Sequence, residues 1–169
     1  TDGDITFAGN IGGSDSFTRV KNFETSGSGK THLNGNTVEV QKEANFNNGV
    51  VIGNGVTVTS SSDDQISFNG TVDGPGGLEI DTGGYVQILK RIGGTTPLAS
   101  LVVSDGASSL ILGKDVTTAS GGQDYKRVVF VAADVDFTDT GNGEIRFRKS
   151  LNSAIPGKFD ASIQTGGDV

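Results

Sequence analysis

Apolar and polar residues alternate along this chain with a period of two, in segments such as Ile5-Thr6-Phe7, Val56-Thr57-Val58 and Val135-Asp136-Phe137. That period places successive side chains on opposite faces of an extended strand, and helical periodicity is hard to find anywhere in the chain. Glycine-containing turns separate the segments, among them Gly27-Ser28-Gly29, Gly76-Gly77, Gly93-Gly94 and Gly121-Gly122. Short strands between tight turns predict an all-β chain.

The segments also resemble one another. Those that start at Ile5, Thr31, Ile66, Val86, Leu110 and Ile145 superpose with apolar residues at the first, third and seventh places, the Thr31 segment being the weak member. Their third-place residues are Phe7, Leu33, Phe68, Ile88, Leu112 and Phe147. A second row of strands, Leu78-Glu79-Ile80, Leu101-Val102-Val103 and Val135-Asp136-Phe137, runs into polar turns. One such unit cannot bury its own apolar side, but stacked units can, each strand pairing with the next at ~4.8 Å. The expectation is one β-solenoid segment over residues 1–169, a right-handed parallel β-helix of about six irregular coils starting near 5, 31, 66, 86, 110 and 145. The long intervals from Leu33 to Phe68 and from Leu112 to Phe147 should then hold an additional strand or a protruding loop, and Val169 should begin a further unit.

Composition narrows the picture. Glycine supplies 27 of 169 residues and hydrophobic residues only 33%, which suits many turns better than a globular enzyme core. The chain has no Cys, so disulfides and Cys-ligated metal centres are excluded. A net charge of −7 argues against a nucleic-acid partner. No apolar run approaches the roughly 18 residues of a membrane span. The polar start Thr1-Asp2-Gly3-Asp4 is not a signal peptide, so an export signal would lie upstream or have been removed.

Candidate chemistry is sparse. The one histidine, His32, should point outward if Leu33 points inward, and nothing nearby completes a catalytic triad. Acidic turns offer weak calcium candidates: Asp2 with Asp4, Asp63 with Asp64, and above all Asp139, Asn142 and Glu144. Turns select Asp and Asn for their own backbone bonding, which explains the same residues without a metal. No catalytic residue and no cofactor is expected. Glu79, Asp81 and Asp105 are the carboxylates that a polysaccharide-cleaving β-helix would have to use. Lys90, Lys114 and Lys149 fall at the fifth place of their segments, so stacking should align them in one column flanked by Arg91 and Arg148. Such a strip would suit an anionic glycan or a phosphate-bearing polymer, and equally a solvated face whose charges deter stray strand pairing. A Thr ladder of the ice-binding kind is not expected, since Val56-Thr57-Val58-Thr59 stands alone.

Asp4-Ile5-Thr6-Phe7, Gln65-Ile66-Ser67-Phe68-Asn69-Gly70-Thr71-Val72 and Gly93-Gly94-Thr95-Thr96-Pro97-Leu98-Ala99-Ser100-Leu101 resemble the β-strand repeats of giant bacterial surface proteins. Gly121-Gly122-Gln123-Asp124-Tyr125 and Thr165-Gly166-Gly167-Asp168-Val169 do so as well. Such repeats build filamentous-haemagglutinin-like adhesins and autotransporter passengers. The likeness covers 65–169 and 1–11, while 12–64 diverges. It implies an exported, extracellular β-helix on the bacterial cell surface, a structural or adhesive rod rather than an enzyme. Its partners would be a host or neighbouring-cell glycan or protein, or itself, end to end. A surface filament subunit and a glycan-binding or polysaccharide-degrading β-helix are the alternatives. Asn45-Phe46-Asn47-Asn48-Gly49 is not the Asn-Pro-Asn signature of an export domain, so an interior segment is expected.

Overall fold

The computed structural model describes residues 3–13, 15 and 17–166. Following the chain, the first winding carries β1 (Ile5–Phe7) and β2 (Phe23–Thr25), and the second β3 (Thr31–Leu33), β4 (Thr37–Val40) and β5 (Ala44–Phe46). The third carries β6 (Val50–Ile52), β7 (Val56–Ser60) and β8 (Ile66–Phe68), and the fourth β9 (Val72–Asp73), β10 (Leu78–Asp81) and β11 (Val86–Ile88). The fifth has β12 (Leu101–Val103) and β13 (Leu110–Leu112), and the sixth β14 (Val116–Thr118), β15 (Gln123–Tyr125) and β16 (Val129–Val131). The seventh has β17 (Val135–Asp139), β18 (Ile145–Phe147) and β19 (Leu151–Ser153), after which β20 (Ala161–Gln164) enters another turn.

Every pairing is parallel and joins a strand to its counterpart one winding away, so the chain is an all-β solenoid with three faces. The first face runs β1-β3-β6-β9, then through Ile92, which bridges Val72 and Val116, to β14-β17-β20. The second runs from β4 to β18, and the third is a seven-stranded sheet from β2 to β19. At the ~4.8 Å spacing of paired strands the stack is a rod roughly 30 Å long. The first-face register, Ile5 to Thr31 to Val50 to Val72 to Ile92 to Val116 to Phe137 to Ile163, shows that a winding uses roughly 20 residues.

This period corrects the alignment expected from sequence. The segments at Ile5 and Thr31 lie on the first face, those at Ile66, Val86 and Leu110 on the third, and that at Ile145 on the second. Phe7, Phe68 and Phe147 therefore stand in three separate files: Phe7-Leu33-Ile52, Phe46-Phe68-Ile88-Leu112-Val131, and Val38-Val58-Ile80-Val103-Tyr125-Phe147. The long intervals are neither single strands nor loops; the stretch after Leu33 holds β4 to β7, and that after Leu112 holds β14 to β17. In the second row, Leu78 and Leu101 pair on the second face as expected, whereas Val135-Asp136-Phe137 belongs to the first. The confusion is physical: all three faces present the same inward-outward-inward code, and an alternating triplet carries no mark of its face. Val169 and Asp2 lie outside the described residues.

The three files meet in one core. Val40, Phe46, Ile52, Ile66, Phe68, Ile80, Ile88, Leu112 and Phe137 are all fully buried within it. Aromatic rings gather toward each end of the stack. Phe46 stacks on Phe68 with centroids 4.6 Å apart, and Phe23 and Phe7 continue the row by tilted and edge contacts. At the other end Tyr125 stacks on Phe147 at 4.9 Å, and Phe137 meets both edge-on. Offset and edge-to-face rings add attraction beyond the area they bury. Aliphatic side chains fill the windings between.

Two polar devices hold the interior. Arg127 is fully buried at the corner between the second and third faces, where Nε donates to the Ser104 carbonyl at 2.8 Å and Nη1 to that of Gly84 at 2.7 Å. Nη2 donates to the Thr82 carbonyl, so one guanidinium ties three successive windings. Gly106 leaves the space: a Cβ there would sit 2.6 Å from Nη2. Burial lowers the pKa of Arg127 from its ordinary value, and Asp105 and Asp81 oppose that shift. The second device is Gln123, whose Nε2 donates to the Thr138 carbonyl at 3.0 Å while its Oε1 accepts from Tyr125 Oη at 2.8 Å. Burial pushes the Tyr125 phenol well above its usual range.

Candidate functional site

Corner residues follow the winding register, and that decides which predicted charges meet. Ile88 pairs with Leu112, so Lys90 and Lys114, two residues further along each strand, lie side by side in adjacent windings. Lys149 follows β18 instead, and the register of Val103, Tyr125 and Phe147 puts it in line with Asp105 and Arg127 at a different corner. The predicted three-lysine column is therefore two columns. At the second corner the charges are matched: Lys149 Nζ lies 2.6 Å from Asp105, and Arg148 makes a bidentate pair with Asp124 at 2.8 and 2.9 Å. Hydrogen bonding by Lys149 and by Arg148 holds the Asp105 and Asp124 carboxyls below their usual range.

The first corner is different. Lys90, Arg91 and Lys114 share a depression of about 390 Å³ with Lys30, Thr71 and Asp73. Arg91 is paired with Asp115 at 2.7 Å, but Lys30, Lys90 and Lys114 form no salt bridge among the described residues. Gly49 and Gly70 stand near the same corner, one and two windings beyond Lys30. At Gly70 a Cβ would sit 2.2 Å from the Asn48 carbonyl oxygen, so the backbones approach too closely for any side chain. One wall is the loop between Ile92 and Leu98, where the first-face strand is reduced to isolated bridges at those two residues. Gly94 and Thr95 of this loop line the hollow. The buried Asp73 carboxylate fixes the loop by accepting from the Thr95 amide at 2.8 Å, and the Gly74 amide donates to the Thr96 carbonyl at 3.0 Å.

Sequence reasoning found Lys90, Arg91 and Lys114 but missed Lys30, from an earlier winding, and Asp73 and Thr95, from the starts of the fourth and fifth windings. Only the winding period could have revealed them.

Of the calcium candidates, the Asp4, Asp63, Asp139 and Glu144 carboxylates have protein partners. Asp139 is buried, with Oδ1 accepting from the Gly141 and Gly143 amides at 3.0 and 2.9 Å and Oδ2 from Thr118 Oγ1 and the Gly122 amide at 2.8 and 3.1 Å. It closes a turn. Glu144 is paired with Arg146, and Asn142 is exposed. Asp63 accepts from the Gly83 amide at 2.8 Å. No three His, Asp or Glu side chains are placed to hold a metal among the described residues. His32 points outward between buried Thr31 and Leu33, with Nε2 3.0 Å from Asp4. Asp4 is held low first by the Lys30 amide and then by His32.

Glu79 faces outward over a shallow depression shared with Thr57 and Val102, while Asp105 sits at the corner with Lys149. The two do not face each other across a groove. The outward file through Thr57 reads Thr37, Thr57, Glu79, Val102, Asp124, Arg146, which is not a Thr ladder. No described helix is long and apolar enough to cross a membrane.

Fold and surface define the class as a parallel β-helix, a repeat protein whose windings share one core. Comparison with known proteins returns nothing further: no protein-family model, curated protein or solved structure matches this chain.

Proposed function

We propose that this chain is a non-catalytic rod: a β-helical stalk or adhesive segment of an exported bacterial surface protein of the haemagglutinin-like kind. The observation that carries the reading is the uninterrupted core through all seven windings of the third face, combined with ion pairs that link one winding to another. Arg91 with Asp115, Arg148 with Asp124 and Lys149 with Asp105 tie neighbouring or next-neighbouring windings together. Carboxylates spent in this way serve length and stiffness, and Glu79 and Asp105 do not face each other across a groove as glycoside chemistry would need. β1 and β20 each pair on one side only among the described residues, and self-association through those edges is part of the proposal.

Antibodies raised against the purified chain should label intact cells of the bacterium that makes it, and protease added outside should remove the label. Labelling that appears only after lysis overturns the surface assignment. Turnover of acidic polysaccharides by the purified chain overturns the non-catalytic one. Sedimentation that stays monomeric at millimolar concentration removes self-association.

A further inference from the structure

The hollow beneath the loop between Ile92 and Leu98 is locally basic in a chain whose net charge is −7. Lys30, Lys90 and Lys114 are exposed, come from different windings and have no carboxylate within salt-bridge distance among the described residues. Arg91 of the same hollow, and Arg146, Arg148 and Lys149 elsewhere on the rod, are each paired, while Lys21, Lys42, Lys126 and Lys158 have no salt bridge among the described residues and lie outside the hollow. Unpaired cations brought to one hollow repel one another, and an anion bound among them removes that cost.

We propose that this hollow binds an oxyanion-bearing saccharide of one or two rings, carrying a sulfate or phosphate ester. About 390 Å³ lies at the small end of ligand sites and holds such a molecule rather than a long chain. The three ammonium groups meet the ester oxygens as point charges. Thr71 and Thr95 line the same hollow, and their hydroxyls suit the sugar hydroxyls. The chain's net charge of −7 disfavours an extended polyanion and favours a short ligand held at this one place. Asp73 has a double role. Its oxygen anchors the loop wall through the Thr95 amide, and its charge opposes the ligand. The inference goes beyond the rod reading and does not rest on it, because a rod needs no ligand.

Calorimetric titration of the purified chain with a sulfated heparin-type disaccharide, its desulfated counterpart and a sugar monophosphate tests this. The sulfated or phosphorylated probe binds, the desulfated one does not, and binding weakens as salt is raised. The two ester probes together show which oxyanion is preferred. Lys30→Gln, Lys90→Gln and Lys114→Gln each weaken binding about two- to fivefold, the scale of one exposed charge contact, and the triple variant abolishes it. Lys149→Gln, the same charge change at the other corner, leaves it intact. Asp73→Asn keeps an acceptor for the Thr95 amide, removes the opposing charge and tightens binding. Equal affinity for the desulfated probe, or a triple variant that melts like the parent and binds as well, overturns the proposal. Failure here leaves the surface-labelling result standing, and failure there leaves this titration standing.

Discussion

Arg127 is the residue on which the corner between the second and third faces turns. Its three carbonyl partners belong to strand ends in two earlier windings, so a shorter side chain strands several buried acceptors at once. Arg127→Leu should cost about 3 kcal/mol in urea unfolding, and Arg127→Lys should recover only part, because an ammonium cannot span three acceptors. Nothing in the sequence marks this arginine as buried. It follows Tyr125 by two, the alternation places both on one side, and an inward arginine is the assignment a reader of patterns rejects first.

The acidic side chains carry a second prediction at this scale. Asp4, Asp15, Asp105 and Asp124 all have folded-state pKa values below the ordinary carboxyl range, through hydrogen bonds from Lys30, Thr18, Lys149 and Arg148 respectively. A depressed folded value contributes stability above the unfolded pKa, about 4, and that contribution is lost as pH falls through the folded values. Thermal midpoints should therefore be flat near neutrality and fall below about pH 4. Asp124→Asn should make that fall shallower. A midpoint that rises on acidification would contradict the pairing geometry.

At the scale of the element, strands here are two to five residues long and glycine sets where several of them end. Gly74 has φ +126°, and a Cβ there would sit 2.3 Å from the Ile52 carbonyl oxygen, whereas a Cβ at Gly55 would meet nothing within 4 Å. Gly74→Ala should destabilise by roughly 2 kcal/mol or more, while Gly55→Ala should be neutral or slightly stabilising by thermal melting. Strand triplets such as Ile5-Thr6-Phe7 and Ile66-Ser67-Phe68 were legible because alternation is a local property. The face on which each triplet lies was not, since that depends on turn lengths summed around a winding. The second winding uses fewer residues than the first, and the fifth replaces its first-face strand with the loop between Ile92 and Leu98. The candidate site shared this fate: Lys90 and Lys114 were one period apart and were found, while Lys149 was placed in the wrong column.

For the whole molecule, each winding packs mainly against its neighbours, with Arg127 and Lys149 reaching one winding further, so stability should vary along the stack. β20 is exposed along its full length and β1 is only half-buried, whereas the inward residues of β8, β10, β11 and β13 are completely or almost completely inaccessible. Amide exchange should be fastest in β1 and β20 and slowest between β7 and β13, with protection falling off toward both ends. Uniform protection would mean that the rod opens only as one unit. Phe46→Ala, which removes the middle ring of the Phe23-Phe46-Phe68 row, should cost about 3–5 kcal/mol and raise exchange first in the windings on either side.

Alternation, glycine spacing and the lack of helical periodicity were enough to determine an all-β chain of stacked parallel windings, because strand geometry and the need to bury one side act within a few residues. The number of windings, the separation of Phe7, Phe68 and Phe147 into three files, the burial of Arg127 and the meeting of Lys30 with Lys90 and Lys114 were decided only in three dimensions. Each depends on register between windings, and register is set by the sum of many turn lengths and by core packing, neither of which any single segment encodes.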